Sequence, residues 1–160
     1  MTDFRVKVAD YAVARGEGII STIGLGSCVA ILLYDPRVRV GGLAHTLLPD
    51  ESMARDRSNP AKFAASAVTL LIVEMTRLGA DAKRIRAKLV GGSSMFASLL
   101  PSGGINIGER NVTAARQALS RHGVAIVAED VGSDHGRSVH FHLDDGRVEV
   151  RSLKKGNRVI

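Results

Sequence analysis

The chain contains a single cysteine, Cys28, and the first of its five histidines is His45. A free thiol with a pKa near 8.5 is only a few per cent thiolate at neutral pH, so a nucleophilic cysteine needs an activating neighbour. An imidazole can be that neighbour, because an imidazolium beside the thiol lowers its pKa. The two residues could therefore attack a carbonyl carbon, provided that the fold brings them together.

Cys28 and His45 lie in two β-rich runs, CVAILLYD and VGGLAHTLLP, separated by a turn at Asp35-Pro36. A hairpin turn centred between Pro36 and Arg37 would place Cys28 directly opposite His45. Residues opposite each other on an antiparallel pair share a face, with Cβ atoms roughly 5 Å apart. We therefore predict a thiol–imidazole contact. A loop of odd length would shift the register and separate the pair, whereas a longer loop with the same centre would keep it.

The four residues before the cysteine form the segment Gly24-Leu25-Gly26-Ser27. Glycine lets the backbone approach a substrate closely, and backbone N–H groups can stabilise a developing oxyanion. Gly26 and Ser27 are therefore candidate oxyanion or substrate-loop residues. The alternative is structural: an unpaired cysteine is commonly a small buried hydrophobic residue, and glycines before a strand are also ordinary turn residues.

The rest of the pattern indicates the elements that would position this pair. The chain has no internal repeat, low-complexity tract or proline-rich linker, which favours one compact domain over residues 1–160. The class is mixed α and β. The predicted strands are FRVKVAD, GIISTIGLG, CVAILLYD, VGGLAHTLLP, 84–90 and 124–128, with a hairpin over 138–153 about Asp144-Asp145-Gly146; the predicted helices are 60–78, begun by Ser58-Asn59-Pro60, and 110–122.

Composition limits the compartment and the partners. A single cysteine can form neither an internal disulfide nor a thiolate metal site, and no stretch approaches the roughly 18 apolar residues of a membrane span. We expect a cytoplasmic protein without membrane insertion. The net charge of +6 favours acidic partners, but the absence of tryptophan and of long basic runs argues against nucleic acid. An acidic protein surface is the expected partner.

Two further motifs have ordinary structural interpretations. His135, His140 and His142 are close in sequence and could suggest zinc, but alternation on a strand is more typical of a polar face, and no metal or cofactor is expected. Gly91-Gly92-Ser93-Ser94 follows a strand and could bind phosphate, yet it lacks the lysine of a P-loop. We interpret it as a structural turn.

Five segments follow one another along most of the chain: TIGLGSCVAILLYDP, VGGLAHTLLPD, AKLVGGSSMF, NIGERN and AEDVGSDHGRSVHF. Together, in this order, they resemble the CheD family of chemoreceptor glutamine deamidases. The resemblance implies a Cys-His-Thr catalytic set, which by position is Cys28, His45 and Thr22. It also implies a layered α/β (α+β) fold with a β-sandwich-like core flanked by two main helices, as in toxin-type glutamine deamidases.

The same resemblance implies a function. The expected reaction is that of a protein-glutamine glutaminase, which converts glutamines of chemoreceptor cytoplasmic domains to glutamate through a cysteine thioester. A CheC-type phosphatase is an implied partner. Hydrolysis of glutamate methyl esters by the same nucleophile is a second activity that the sequence does not exclude. The alternative from another class is a regulatory module that docks on receptors or on the phosphatase without chemistry.

Overall fold

The computed structural model describes residues 2–94 and 106–160, so Met95 and Phe96 of the AKLVGGSSMF segment lie outside it. Within the described residues the chain forms ten strands, two α-helices and two 3₁₀ turns. The strands are β1 (Thr2–Arg5), β2 (Tyr11–Arg15), β3 (Gly18–Leu25), β4 (Val29–Asp35), β5 (Val40–Thr46), β6 (Arg86–Gly91), β7 (Ala125–Val131), β8 (Arg137–His142), β9 (Val148–Ser152) and β10 (Gly156–Val159). The helices are α1 (Ala64–Arg77) and α2 (Ile107–Arg121), and the 3₁₀ turns are Glu51–Met53 and Pro60–Lys62.

The strands form two five-stranded sheets that pack face to face. One sheet has the order β1-β3-β8-β9-β10 and the other has the order β2-β5-β4-β6-β7. Helices α1 and α2 pack against each other and against the second sheet. One apolar core therefore lies between the two sheets and another lies between the second sheet and the helices. The predicted α+β fold with a sandwich-like core and two flanking helices is confirmed.

Strand β4 is central because both of its faces are covered. Val29, Ile31 and Leu33 belong to the core beneath the helices, whereas Ala30 and Leu32 belong to the core between the sheets. A strand that is buried on both faces has a continuous run of apolar residues in place of an alternating pattern. The segment CVAILLYD contains such a run. Residue 28 continues the face of residues 30 and 32, so the cysteine lies between the sheets.

The predicted register of the β4–β5 hairpin was wrong by two residues. His45 lies opposite Ala30, because the loop has four residues, 36–39, and its centre is one position later than predicted. The Asp35 carboxylate accepts a hydrogen bond from the Arg37 N–H at 3.1 Å, and Arg39 adopts φ 54°, which together set this loop. Since the register changed by an even number, the predicted common face is retained. Cys28 is a diagonal neighbour of His45.

The strand assignment also differs from the sequence prediction at the end of the first strand and at two edge strands. The first predicted strand stops at Arg5, since Ala9 has φ 61° and the Asp10 N–H donates to the Lys7 carbonyl in a turn. The edge strands β2 and β10 were missed. Every residue of β10 is exposed, so that strand shows no alternation of apolar and polar residues.

The helix predicted from Pro60 begins later. Asn59 caps a 3₁₀ turn by accepting from the Ala61 N–H at 3.0 Å, and Phe63 is then extended and fully buried. Because Phe63 is extended with its ring in the core, the helical backbone is interrupted there and α1 begins at Ala64. The predicted second helix and the hairpin about 144–146 are confirmed in type, with ends that differ by a few residues.

Asp35, at the end of β4, holds the far end of this hairpin. Its carboxylate is fully buried and accepts hydrogen bonds from the Arg84 side chain at 3.0 Å and from the N–H groups of Asp81 and Arg37 at 2.9 and 3.1 Å. Burial acts to raise the pKa of this carboxyl, but the three donors hold it below its ordinary value.

We expect Asp35→Ala to lower the free energy of unfolding by about 3 kcal/mol, because it leaves several donors without their acceptor. Urea denaturation followed by circular dichroism measures this. Asp144→Ala is the control, since Asp144 forms only an exposed ion pair with Arg147, and its cost should be below about 1 kcal/mol. Equal losses in the two variants would contradict the proposed importance of Asp35.

Candidate active site

A chain of two hydrogen bonds fixes the imidazole of His45 between the sheets. His45 and Thr22 are both fully buried, and Thr22 Oγ1 lies 2.7 Å from His45 Nδ1. The Thr22 hydroxyl donates its only proton to the carbonyl of Val6, at 2.6 Å. The hydroxyl must then accept from Nδ1–H. The hydrogen-bond network thus assigns the proton of the neutral ring to Nδ1 and the lone pair to Nε2.

The other ring nitrogen of His45 is available for chemistry. Nε2 is buried and has no hydrogen-bond partner in residues 2–94 and 106–160. A buried polar atom without a partner costs free energy, and such atoms are often retained for function. With its proton fixed on Nδ1, the ring presents a basic nitrogen that can accept a proton from a neighbouring group.

Three strand segments bring these groups together. Thr22 lies on β3, Val6 directly follows β1, and β1 runs parallel to β3. The pairing of β3 with β8 is irregular between Thr22 and Leu25, where Gly24 adopts φ 75°. Pairing resumes after this bulge at Leu25, opposite Arg137, and β3 then ends in the loop that leads to Cys28.

The thiol of Cys28 is mostly buried, with 8% of the residue exposed, at the start of β4. Burial raises the pKa of the Cys28 thiol, although a hydrogen bond from its own backbone N–H opposes that effect. Burial also lowers the pKa of His45. Both effects favour a neutral thiol beside a neutral imidazole before substrate arrives.

These directions differ from one expectation from the sequence. An imidazolium was expected to lower the thiol pKa, but a buried site disfavours both charges before substrate arrives. The arrangement instead suits general-base catalysis, in which the proton moves from sulfur to Nε2 as the sulfur attacks.

The predicted turn at Gly91-Gly92-Ser93-Ser94 has a clear structural role. The Gly92 N–H donates to the Cys28 carbonyl at 2.8 Å, and the Ser93 N–H donates to the Gly26 carbonyl at 2.9 Å. Gly91 has φ 111°, and a Cβ added there would lie 2.3 Å from the Cys28 carbonyl oxygen. The glycines let the end of β6 approach the cysteine loop, which supports the structural interpretation of this segment.

Two residues that contact the site were missed by sequence reasoning. Val6 contributes only its carbonyl, which no side-chain pattern reveals. Asn111 on α2 is fully buried, and its Nδ2 donates to the carbonyls of Ser27 at 2.9 Å and Leu47 at 3.1 Å. The only sequence signal for Asn111 is its place in the NIGERN segment.

The three carboxyl-terminal histidines do not gather around one point. His142 Nε2 lies 2.6 Å from the Glu149 carboxylate, and burial lowers the pKa of His140 and of His135. In the described residues, no three histidine, cysteine or acidic side chains are placed to hold one metal ion.

A basic cleft of about 660 Å³ lies beside the bulge of β3. Its lining includes Gly24, the nearly buried His135, and Arg137, Arg151 and Lys154. Arg137 is held by Asp130 at 2.8 Å. Cys28 does not line this cleft.

No helix in the described part of the chain is both long enough and apolar enough to cross a membrane.

Comparisons with known proteins identify similar chains. The family model described as CheD chemotactic sensory transduction matches residues 47–152. A probable chemoreceptor glutamine deamidase CheD of Caldanaerobacter subterraneus is 47% identical over 156 residues, which cover 98% of this chain and 96% of that protein. The corresponding probable deamidase of Pyrococcus abyssi is 46% identical, over 96% of this chain and 94% of its own. The chemoreceptor glutamine deamidase CheD of Thermotoga maritima is 40% identical, with the same two coverages.

Proposed function

This chain belongs to the CheD family, and we propose that it is an amidohydrolase that deamidates glutamine side chains of chemoreceptors, with Cys28, His45 and Thr22 as its catalytic set. The names of its relatives support the reaction and the substrate class. The observation that carries the choice of residues is the Nε2 of His45, which has no hydrogen-bond partner among the described residues and lies on the strand face that His45 shares with Cys28.

The reaction begins with attack by sulfur on the side-chain amide carbon of glutamine. As the S–C bond forms, the thiol proton moves to His45 Nε2 and the carbonyl electrons move to oxygen. Backbone N–H groups of the cysteine loop stabilise this oxyanion. Of the two loop residues first singled out, Ser27 has an N–H without a backbone acceptor in the described residues, whereas the Gly26 N–H donates to the Gly24 carbonyl. The neutral resting pair suits this step, because the imidazolium and the oxyanion appear together and attract each other.

The same histidine serves the remaining steps. It returns its proton to the departing nitrogen, so that ammonia leaves and a thioester on Cys28 remains. Water then loses a proton to Nε2 and attacks the thioester, and the thiolate that departs is reprotonated by the imidazolium. The product is glutamate. A glutamate methyl ester is a second candidate substrate for this sequence of steps.

Thr22 positions the base through its hydroxyl. We expect Thr22→Val to reduce turnover about 10–100-fold, because the ring loses the acceptor that holds the proton on Nδ1. Thr22→Ser keeps a hydroxyl and should retain most of the activity. Initial rates of glutamine deamidation on a receptor fragment measure both variants, and equal rates for valine and serine would argue against a role for the hydroxyl.

The substrate surface should be acidic. The net charge of +6 and the basic cleft beside the β3 bulge complement receptor segments rich in carboxylates. We propose that the whole of 1–160 acts as one deamidase domain in the cytoplasm, and that a CheC-type phosphatase is a further partner.

Peptide mass spectrometry tests the proposal directly. The protein is incubated with receptor cytoplasmic domains, and each conversion of glutamine to glutamate adds about one dalton, with Cys28→Ala as the matched control. Deamidation by the wild-type chain alone supports the enzyme and its nucleophile. Binding of both chains to the receptors without any mass change would favour the alternative, a regulatory binding module.

A further inference from the structure

The loop that carries the nucleophile is held by three consecutive carbonyl groups. Gly26 accepts a hydrogen bond from the Ser93 N–H, Ser27 accepts from the Asn111 side chain, and Cys28 accepts from the Gly92 N–H, at 2.8 to 2.9 Å. In the part of the chain that the structure describes, the N–H groups of Ser27 and Cys28 meet no backbone carbonyl. The loop therefore has its acceptors satisfied, while among the described residues the N–H groups of Ser27 and Cys28 have no backbone acceptor and the Gly26 N–H donates to the Gly24 carbonyl at 3.1 Å.

The direction of the Ser27 carbonyl sets the direction of the next N–H. In a trans peptide the C=O and N–H of one unit point in opposite directions. Asn111 lies on α2, and α2 packs on the helix side of the second sheet. The Ser27 carbonyl thus points toward the helices, and the Cys28 N–H points toward the space between the sheets, where the thiol and His45 lie.

Asn111 is built into this position. Its side chain is fully buried, and its Nδ2 also donates to the Leu47 carbonyl at 3.1 Å, two residues beyond His45. One amide group therefore joins the segment of the nucleophile to the segment of the base. Its Oδ1 has no partner in the described residues, and a reversed amide would set that oxygen against two carbonyl oxygens.

We propose that Asn111 is a positioning residue that holds the Ser27–Cys28 peptide so that the Cys28 N–H forms the oxyanion hole. The inference rests on the proposed nucleophile but not on the identity of the substrate. Any acyl transfer to Cys28 passes through the same oxyanion, so the role of Asn111 can be tested without glutamine.

Two reagents separate this role from a general loosening of the site. Iodoacetamide alkylates the thiol by displacement of iodide and forms no oxyanion. p-Nitrophenyl acetate acylates the thiol: the S–C bond forms, the thiol proton goes to His45, a tetrahedral oxyanion forms, and p-nitrophenolate leaves as the C–O bond breaks. The ratio of the two rates at Cys28 reports the oxyanion hole, with Cys28→Ala providing the background.

We expect Asn111→Ala to slow acylation about 10–100-fold while alkylation changes by less than about threefold. Glutamine turnover should fall in parallel with acylation, through kcat more than through KM. Asn111→Asp is the second variant, since it keeps the shape of the side chain and removes both donors. Rates are measured at a temperature at which circular dichroism shows each variant folded.

Asn106→Ala is the matched control. Asn106 caps the first turn of the same helix by accepting from the Glu109 N–H at 3.0 Å, and it makes no contact with the cysteine loop in the described residues. This control should weaken the start of α2 and leave the ratio of rates unchanged.

An unchanged ratio in both Asn111 variants would overturn the proposal. A parallel loss of alkylation and acylation would overturn it as well, because it would show that Asn111 only maintains the packing of the site. If the wild-type protein acylates rapidly but never deamidates glutamine, the proposed substrate fails while the role of Asn111 stands or falls on the ratio alone.

Discussion

Replacing Cys28 with alanine should abolish glutamine deamidation, with a loss of turnover on the order of 10⁴-fold or more. No other thiol exists in the chain to replace the nucleophile. Ammonia release and peptide mass spectrometry on a receptor fragment measure the loss. Cys28→Ser should be nearly as inactive, since a hydroxyl is a far weaker nucleophile toward an amide when its only activation is one neutral imidazole.

The fold should survive this substitution, which makes it a clean test. The thiol is small and forms no hydrogen bond to another side chain in the described residues, so the free energy of unfolding should fall by about 1 kcal/mol or less. Residual activity within tenfold of wild type in a folded Cys28→Ala protein would show that another group performs the chemistry.

The pH dependence of alkylation tests the neutral resting pair. Because burial raises the pKa of the Cys28 thiol, its reaction with iodoacetamide should keep rising with pH past the ordinary thiol value near 8.5. A plateau already reached at neutral pH would instead indicate a thiolate–imidazolium pair.

Replacing His45 with glutamine should lower turnover about 10³–10⁴-fold, because the site loses the only base that the described geometry provides to Cys28. Each step of the proposed mechanism moves a proton to or from this ring. Steady-state deamidation rates measure the effect, and alkylation of Cys28 by iodoacetamide should slow as well. His122→Gln is the matched control, since His122 is exposed at the end of α2 and far along the chain from the site.

The same substitution should change how stability depends on pH. The pKa of His45 is lowered by burial, so its contribution to stability is complete above the unfolded value near 6.5 and is lost as pH falls from there toward the folded value. Urea midpoints measured from pH 7 to pH 5 should therefore fall less steeply in His45→Gln than in wild type. Parallel curves would mean that His45 titrates normally in the folded protein.

The sequence indicated which side chains could react, but not how the fold places them. The chemistry of a lone thiol and an imidazole made Cys28 and His45 candidates, and strand periodicity placed them on one face. The length of the turn was harder to predict. It is set by the hydrogen bond from the Arg37 N–H to the Asp35 carboxylate and by the left-handed backbone of Arg39, and neither has a strong sequence pattern. The prediction that Cys28 and His45 share one face of the sheet was therefore correct, but the prediction that they lie directly opposite each other was wrong.

The parts that sequence could not predict depend on contacts between distant segments. Val6 offers a carbonyl to Thr22, and Asn111 offers an amide to residues 27 and 47. Such contacts exist only after β1 has paired with β3 and α2 has packed on its sheet. No periodic pattern in the sequence relates residue 6 to residue 22, or residue 111 to residues 27 and 47.

The hydrogen bond from Thr22 to Val6 connects the catalytic base to the chain segment that follows an edge strand. Val6 directly follows β1, an edge strand whose only pairing partner in the described residues is β3. Edge strands open more readily than central ones. Whenever β1 frays, the threonine hydroxyl is free to rotate, and the imidazole can exchange one tautomer for the other. We therefore expect fusions or deletions at the amino end that loosen β1 to lower the fraction of molecules competent for proton transfer, and hydrogen exchange at the Val6 amide should rise as turnover falls.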